Sequence, residues 1–234
     1  MALDKDENGI FQVAIDGPSG AGKSTVAKAV AASLGVEYVD TGAMYRAVAH
    51  KMRRLGLSLE DAEGIASMLQ GTTVDFVGQR LLLDGEDVTD AIRSGAVAKL
   101  ASDCSALPAV REKLVAAQRA MGEKKSVVMD GRDIGSNVFP RARHKFYLTA
   151  APEERARRRL AELLAKGEDL SFEQVLDDIK LRDHNDSHRA LNPLTRTPDA
   201  VEIDSTDMTV EAVLAAITGK IMEDRGAAAQ AAVL

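Results

Sequence analysis

Aromatic residues, cysteine and long apolar runs are all scarce in this sequence. Aromatic residues make up 3% of the 234 residues and tryptophan is missing, so aliphatic side chains must build the core. No stretch of about 18 apolar residues occurs, which argues against a helical membrane span. The acidic segment of residues 1–8 lacks the apolar stretch of a signal peptide. We therefore expect a cytoplasmic protein with no membrane partner.

The single cysteine, Cys104, excludes an internal disulfide and fits a reducing compartment. It lies on a predicted helix, where a lone cysteine usually behaves as a small apolar residue. A catalytic thiol is the less favoured alternative.

The sequence also lacks an excess of positive charge. Its formal net charge is −6, and its arginines occur in local clusters within an acidic background. Nucleic-acid binding usually requires a basic face or stripe. The pattern instead favours a focused pocket for a small phosphorylated ligand, and predicts no nucleic-acid partner.

Gly17–Ser24 matches the motif G-x-x-x-x-G-K-[ST] of phosphate-binding loops. An apolar strand precedes it at 11–15 and a helical pattern follows it at 23–34, as the motif requires. Its amides and the helix N-terminus would bind phosphate, Lys23 would reach the β- and γ-phosphates, and Ser24 would face Mg²⁺. A chance glycine-rich turn is the alternative. The motif by itself indicates only a nucleoside triphosphate.

Short apolar strands alternate with amphipathic helices, which predicts an α/β protein with a parallel sheet and helices on both faces. The five predicted core strands are Phe11–Ile15, Val36–Val39, Val127–Met129, Lys145–Leu148 and Val201–Ile203. The predicted helices are 23–34, 43–55, 109–121, 153–166, 172–186 and 210–222. Predicted helix ends are the C-terminal glycines Gly35 and Gly56, the N-caps Ser58 and Thr209, and a capping box of Ser171 with Gln174.

One segment interrupts this alternation. Residues 72–76, 80–83 and 86–88 read as short strands, the last two joined by Asp84-Gly85, which predicts an antiparallel meander. We place an inserted subdomain at 41–100, within a core of 10–40 and 101–222. Residues 1–8 and 226–234 are expected to be flexible.

Two further clusters follow predicted strands, where ligands bind in open α/β sheets. In the first, Tyr45 offers a ring and a hydroxyl, and Arg46 can bind a phosphate. In the second, Asp130 suits a magnesium site, Arg132 a phosphate, and Asp133 an exocyclic amine. Solvated surface turns are the alternative for both clusters.

Polar residues dominate two later helices. Arg182, Asp186 and Arg189 share one face, although the pattern alone favours a solvated, salt-bridged helix. His184 and His188 have metal-ligand spacing but no visible third ligand. The arginines of 155–159 predict a lid at 156–167 over the site, and a basic nucleic-acid patch is the alternative.

Taken together, these residues closely resemble the bacterial cytidylate kinase family of P-loop kinases. The matching segments are 15–24, Asp40–Arg46, Leu83–Thr89 with Ile92-Arg93, Asp130–Gly135 and Arg182–Arg189, in family order over about 10–222. Residues 83–89 carry most of the specificity, because they look like the enlarged monophosphate-binding domain of this family. Thr41 stands where a serine is common, and the hydroxyl is retained.

The resemblance implies transfer of the ATP γ-phosphate to CMP or dCMP. We expect a monomeric, Mg²⁺-dependent enzyme in which 41–100 and the lid at 156–167 close on ligand, because an open site would hydrolyse ATP. The implied catalytic residues are Lys23, Arg132, Arg158 and Asp130. ATP would be bound by Gly17, Ser19, Gly20, Ala21, Gly22, Lys23, Ser24, Thr25, Arg158 and Arg159. CMP would be bound by Thr41, Tyr45, Arg46, Ser102, Arg111, Arg132, Asp133, Arg182, Asp186 and Arg189. Magnesium would be held by Ser24 and, through water, by Asp130.

Three alternatives stay open at the level of sequence. The chain could be another small-molecule kinase with the same core. It could be a GTP-dependent switch, although it lacks an N-K-x-D guanine-reading motif. It could also be a nucleotide sensor without catalysis, against which the dense arginines and Asp130 argue.

Overall fold

The computed structural model describes residues 9–165 and 167–231, and side chains as far as residue 224. Of the expected flexible termini, 1–8 and 232–234 lie outside the described residues. Among the described residues, no helix has both the length and the apolar character needed to cross a membrane.

Eight strands and eight α-helices are present in the part of the chain that the structure describes. The strands are β1 (Gln12–Asp16), β2 (Glu37–Asp40), β3 (Val74–Val77), β4 (Arg80–Leu83), β5 (Glu86–Asp87), β6 (Val127–Gly131), β7 (His144–Thr149) and β8 (Val201–Asp204). The helices are α1 (Lys23–Leu34), α2 (Thr41–Arg54), α3 (Ala62–Gln70), α4 (Gly95–Cys104), α5 (Pro108–Lys124), α6 (Pro152–Leu164), α7 (Phe172–His188) and α8 (Val210–Ala231).

Five strands form the main sheet, in the order β2-β6-β1-β7-β8. The central strand β1 pairs in parallel with β6 and β7, and β7 pairs in parallel with β8. A second sheet has three strands in the order β3-β4-β5, and its pairs are antiparallel. The predicted α/β class and both sheets are therefore confirmed. In such a sheet the carboxyl ends of parallel strands form one edge, which is where ligands bind.

The alternating side chains of β1 have different surroundings on the two faces of the sheet. Phe11, Val13 and Ile15 pack in an aliphatic core with residues of α1 and α8. Because side chains alternate along a strand, Ala14 and Asp16 point to the other face. The charged end of β1 is thus buried beside the loop that follows the strand.

Residues 39–125 form a compact unit distinct from the rest of the chain. Within it α2 packs against α4 and α5, and α3 packs against α5. Asp84 and Gly85 both have positive φ, 53° and 84°, as a two-residue type I′ hairpin turn requires. The unit extends past the expected boundary at residue 100 because α5 packs on α2 and α3. The strand pattern did not reveal α3, which separates α2 from this sheet along the chain.

Most predicted helix ends agree with the structure. Gly35 ends α1 with a φ of 67°, Ser171 and Gln174 form the capping box of α7, and Thr209 accepts the amide of Ala212. The prediction of Ser58 as an N-cap is wrong. Asp61 caps α3 instead, because its carboxylate accepts the Gly64 amide at 2.8 Å. The predicted end of α8 at Met222 is also wrong, since the helix continues to Ala231.

The one cysteine allows a test of packing in the unit of 39–125. Cys104 is 0% exposed, and burial raises the pKa of its thiol to about 12. Since the thiolate is the reactive form, we expect the native thiol to react very slowly with a disulfide reagent at neutral pH. The same reagent should modify it rapidly and stoichiometrically in concentrated urea. Rapid reaction of the native protein would contradict this packing.

Candidate active site

The phosphate-binding loop runs from the end of β1 to the start of α1. Gly17 has a φ of 150°, and a Cβ placed there would lie 1.9 Å from the carbonyl oxygen of Leu148. The tight approach of the loop to β7 therefore requires glycine at this position. Gly22, with a φ of 84°, precedes α1 and has no side chain to cap its first amides. The first amides of α1 therefore receive no hydrogen bond acceptor from a cap side chain, and an uncapped helix N-terminus of this kind suits an anion.

Lys23 is buried at the centre of this loop. Its Nζ donates to the carbonyl oxygen of Pro18 at 2.7 Å, so the ammonium is held inside the loop it serves. Burial, and secondly the charge of Arg132, lower the pKa of Lys23 to about 7. Anionic phosphate oxygens beside this amine would favour its charged form again.

Asp130 lies at the end of β6, beside the first turn of α1. Its Oδ2 accepts the hydroxyl of Ser24 at 2.9 Å, and its Oδ1 accepts the hydroxyl of Tyr38 at 2.7 Å. The two oxygen-bearing residues proposed for magnesium from the sequence are thus in contact. Hydroxyl and carboxylate oxygens are the hard ligands that Mg²⁺ prefers, so these residues fit that ion. Sequence reasoning missed Tyr38, because only strand pairing brings it to Asp130.

A second cluster of charges connects the loop after β6 with the end of α7. Arg132 Nε donates to Asp186 Oδ2 at 2.6 Å, and Arg189 Nη2 donates to Asp133 Oδ1 at 3.0 Å. Although burial opposes it, the guanidinium of Arg132 holds the pKa of Asp186 below its usual range. Four of the predicted site residues therefore meet in one network of alternating charge.

Arg182 of α7 forms its ion pair outside this charge network. It pairs with Asp178 one turn earlier, at 3.4 Å, rather than with Asp186. The two stacked rings of His184 and His188 stand 4.1 Å apart on the same helix. Within residues 9–165 and 167–231, no group of three or more metal-ligating side chains is present.

The arginines of α6 differ in their surroundings. Arg158 donates to the backbone oxygens of Ser205 and Thr206, at 2.7 and 3.2 Å, and so lies at the end of β8. Arg159 instead pairs with Glu162 on the same helix at 3.0 Å. Of these two arginines, the structure therefore places only Arg158 against the end of a strand.

Arg155 is a functional candidate that the sequence reasoning did not single out. It is 3% exposed, and it donates to the carbonyl oxygens of Ala150 and Ser19, at 2.8 and 2.9 Å. It also pairs with Asp183 of α7 at 2.7 Å. One guanidinium thus supports the phosphate-binding loop from outside. In the sequence, Arg155 lies in an arginine-rich run that precedes the acidic helix α7. Neither pattern distinguishes this buried arginine from the less buried arginines beside it.

The unit of 39–125 holds the remaining predicted residues. Arg46 pairs with Asp40 at 2.9 Å, and Asp40 also caps α2 through the Ala43 amide. The buried guanidinium of Arg111 lies 5.8 Å from the centre of the Tyr45 ring. Thr41 is buried in the first turn of α2, and Ser102 lies on α4. The unit therefore presents arginine and hydroxyl groups from several helices.

Comparison with known proteins decides the family. A family model described as cytidylate kinase matches residues 13–223. The chain belongs to the cytidylate kinase family. The resemblance expected from the sequence motifs is confirmed.

Relatives support this membership over most of the chain. A cytidylate kinase from Caldanaerobacter subterraneus subsp. tengcongensis is 52% identical over 87% of this chain and 91% of its own length. One from Clostridioides difficile is 44% identical over 91% of this chain and 99% of its own. An uncharacterized protein from Eubacterium ventriosum has a similar fold, with a TM-score of 0.50 and 13% identity, over 90% of this chain and 98% of that one.

The contacts of Arg155 predict a large structural effect of its removal. Arg155→Met would leave two carbonyl oxygens and the carboxylate of Asp183 without their donor. Breaking a buried ion pair in this way costs about 3 kcal/mol or more. Urea unfolding should show this loss of stability, whereas Arg157→Met, at an exposed position of the same helix, should change stability little. Equal effects of the two substitutions would contradict the role of Arg155.

Proposed function

We propose that this member of the cytidylate kinase family transfers the γ-phosphate of ATP to CMP or dCMP, giving ADP and CDP or dCDP. The observation that carries the proposal is the arrangement at the carboxyl edge of the main sheet. There a phosphate-binding loop with a buried lysine lies next to the alternating charges of Arg132, Asp186, Arg189 and Asp133. A phosphate donor and a phosphorylated acceptor each have complementary groups at that edge.

The donor is assigned to the loop after β1 and to the arginines of α6. Its phosphates would be bound by the loop amides, the Lys23 ammonium and the first turn of α1. The full set of residues is Gly17, Ser19, Gly20, Ala21, Gly22, Lys23, Ser24, Thr25, Arg158 and Arg159. Arg158 is held by strand-end carbonyls, which fits a group that stabilises the transferring phosphate.

The acceptor is assigned to residues whose chemistry matches a pyrimidine monophosphate. Guanidinium groups suit its phosphate, and the Asp133 carboxylate can accept from the exocyclic amine of cytosine. In the unit of 39–125 these residues are Thr41, Tyr45, Arg46, Ser102 and Arg111. In the rest of the chain they are Arg132, Asp133, Arg182, Asp186 and Arg189.

The chain's own residues contribute to catalysis mainly through position and charge. Phosphoryl transfer builds little new covalent chemistry with the protein, so fixed donors around the transferring group lower the barrier. Lys23, Arg132 and Arg158 are the three cations assigned to that task. Each is already held by named partners, which reduces the reorganisation needed when substrate binds.

Magnesium belongs to the same proposal. Ser24 and, through water, Asp130 would hold it, and it would neutralise charge on the donor phosphates when bound. Tyr38 would keep the Asp130 carboxylate in place from its other oxygen. Closure of 41–100 and of the lid at 156–167 on ligand also stays a proposal, as do a monomeric state and a cytoplasmic location.

The proposal is tested by coupling ADP release to each nucleoside monophosphate in turn, with ATP and Mg²⁺. CMP and dCMP should give turnover well above that of AMP and GMP. ATP hydrolysis without a nucleoside monophosphate should be slow, because an enzyme that is selective for its acceptor transfers little phosphate to water. Absence of turnover with both cytidine nucleotides would overturn the assignment.

Lys23→Ala should nearly abolish turnover while the fold is retained. Loss of one group that stabilises transition-state charge typically lowers kcat by about 10²–10³. The comparison variant is Lys99→Ala, which removes an exposed lysine of α4 and should keep wild-type kcat. Circular dichroism would establish that both variants are folded. A wild-type kcat in Lys23→Ala would refute the role of the loop.

Asp186→Ala should lower kcat/KM for CMP more than for dCMP. A carboxylate accepts hydrogen bonds from sugar hydroxyls, and ribose offers one hydroxyl more than deoxyribose. Asp177→Ala, an exposed position of the same helix, serves as the control. If both substrates lose activity in equal proportion, Asp186 acts by holding Arg132 and does not distinguish the sugars.

A further inference from the structure

Two buried charged side chains at the main sheet have no assigned role in phosphate transfer. Asp16 is the last residue of β1 and Lys145 the second residue of β7, and each is 6% exposed. Lys145 is paired with Ala14, two residues before Asp16, so both charges lie on the same face of the sheet. Burying a charge costs free energy unless hydrogen bonds compensate, so the partners of these groups show what they stabilise.

Both carboxylate oxygens of Asp16 accept hydrogen bonds from the loop after β6. Its Oδ1 accepts the amide of Ile134 at 2.8 Å, and its Oδ2 accepts the amide of Gly135 at 2.7 Å. Burial raises the pKa of Asp16 to about 6, and the two amides act in the opposite direction. Although Asp16 directly precedes the phosphate-binding loop, its hydrogen bonds go to the acceptor side of the site.

Those two amides belong to a single π-helical turn, Ile134–Val138, that starts directly after Asp133. The first amides of a helical turn need acceptors, which the preceding residue normally supplies from its own side chain. Here the Asp133 side chain makes no such cap. Its oxygens instead accept from Arg189 at 3.0 Å and Asn137 at 3.1 Å.

Asp16 therefore replaces Asp133 as the cap of this turn, from a different strand. As a result, the Asp133 carboxylate is directed away from its own backbone and remains in the charge cluster with Arg189.

Lys145 also contacts this turn and the segment that follows it. Its Nζ donates to the Pro140 carbonyl oxygen at 2.7 Å and pairs with Asp199 at 2.6 Å. Its aliphatic chain lies against Gly135, where an added Cβ would be 3.2 Å from Lys145 Cδ and 3.4 Å from Asp16 Oδ2. The turn thus contacts two buried charged side chains of opposite sign.

We propose that Asp16 is a positioning residue for the acceptor nucleotide: because Asp16 caps the 134–138 turn, the Asp133 carboxylate stays in the charge cluster with Arg189, where it recognises the base. The role rests on the proposed function of Asp133. It assigns to the last residue of β1 an effect on the acceptor rather than on the donor whose loop it adjoins.

Asp16→Asn is the decisive substitution in the full chain. The carboxamide keeps the size of the side chain. Its NH₂ group replaces one carboxylate oxygen, however, and cannot accept the hydrogen bond from one of the two backbone amides. Because bonds to a charged acceptor are among the stronger ones, KM for CMP should rise about tenfold at saturating ATP. KM for ATP at saturating CMP should change little. The amide protons of Ile134 and Gly135 should also shift upfield in NMR spectra.

Asp61→Asn is the matched control. Asp61 also accepts a backbone amide at the start of a helix, on α3, and the exchange should leave both KM values unchanged. Unfolding midpoints of both variants separate loss of stability from loss of recognition. A merely structural role of Asp16 would lower its midpoint and leave the ratio of the two KM values as in the wild type.

Three outcomes overturn the inference. These are an unchanged KM for CMP, an equal rise in both KM values, and unshifted amides of 134 and 135. If Asp16→Asn is too unstable to assay, Gly135→Ala decides by the same ratio, since its methyl group would lie 3.2 Å from Lys145 Cδ and would crowd the turn where Asp16 caps it. A wild-type protein without CMP turnover would instead refute the proposed function, and the NMR result would still report on the cap.

Discussion

The burial of charged groups at the carboxyl edge of a parallel sheet is the constraint on which this site depends. Asp16, Lys23, Asp130 and Asp133 are all buried there, and each must find partners within a few ångströms. Their hydrogen bonds reach the phosphate-binding loop, α1, the turn after β6 and the end of α7. The charges thereby fix the relative positions of the segments that would bind a nucleotide. Aliphatic packing of α1 and α8 on the other face stabilises the sheet, but it does not determine which charged groups meet at the edge.

The same edge separates donor chemistry from acceptor chemistry. The loop amides, Lys23 and the Ser24–Asp130 pair suit a polyphosphate and its cation. The network of Arg132 with Asp186 and of Arg189 with Asp133 alternates in sign, so each arginine is oriented before any phosphate arrives. Preorganised groups of this kind lower the cost of binding and of charge movement in the transition state. Arg155 connects the two regions physically, because it contacts both the phosphate-binding loop and α7.

Sequence patterns predicted the elements well where local signals were strong. The start of α1 at Lys23, the capping box of Ser171 and the turn at Asp84-Gly85 each rest on chemistry within a few residues. The patterns performed less well where local signals competed. Ser58 was a plausible cap, but Asp61 lies nearer to the first apolar residues of α3. A helix after Ser58 and a helix at Cys104 were expected, but the bounds of α3 and α4 were not predicted, because short amphipathic segments in a polar insert have weak periodicity.

The sequence by itself determined the phosphate-binding loop, the acidic and basic strand ends and the cytidylate kinase family. Each of these depends on residues that are adjacent along the chain. Tertiary structure alone decided which charges meet: Asp186 with Arg132 rather than Arg182, Tyr38 with Asp130, Arg155 with Ser19 and Asp183. It also decided that Asp16, at the end of β1, caps the turn that follows Asp133, 118 residues later in the chain. These partners are brought together by strand order and helix packing, and no local pattern encodes contacts between residues that are from 28 (Arg155 and Asp183) to 136 (Arg155 and Ser19) positions apart.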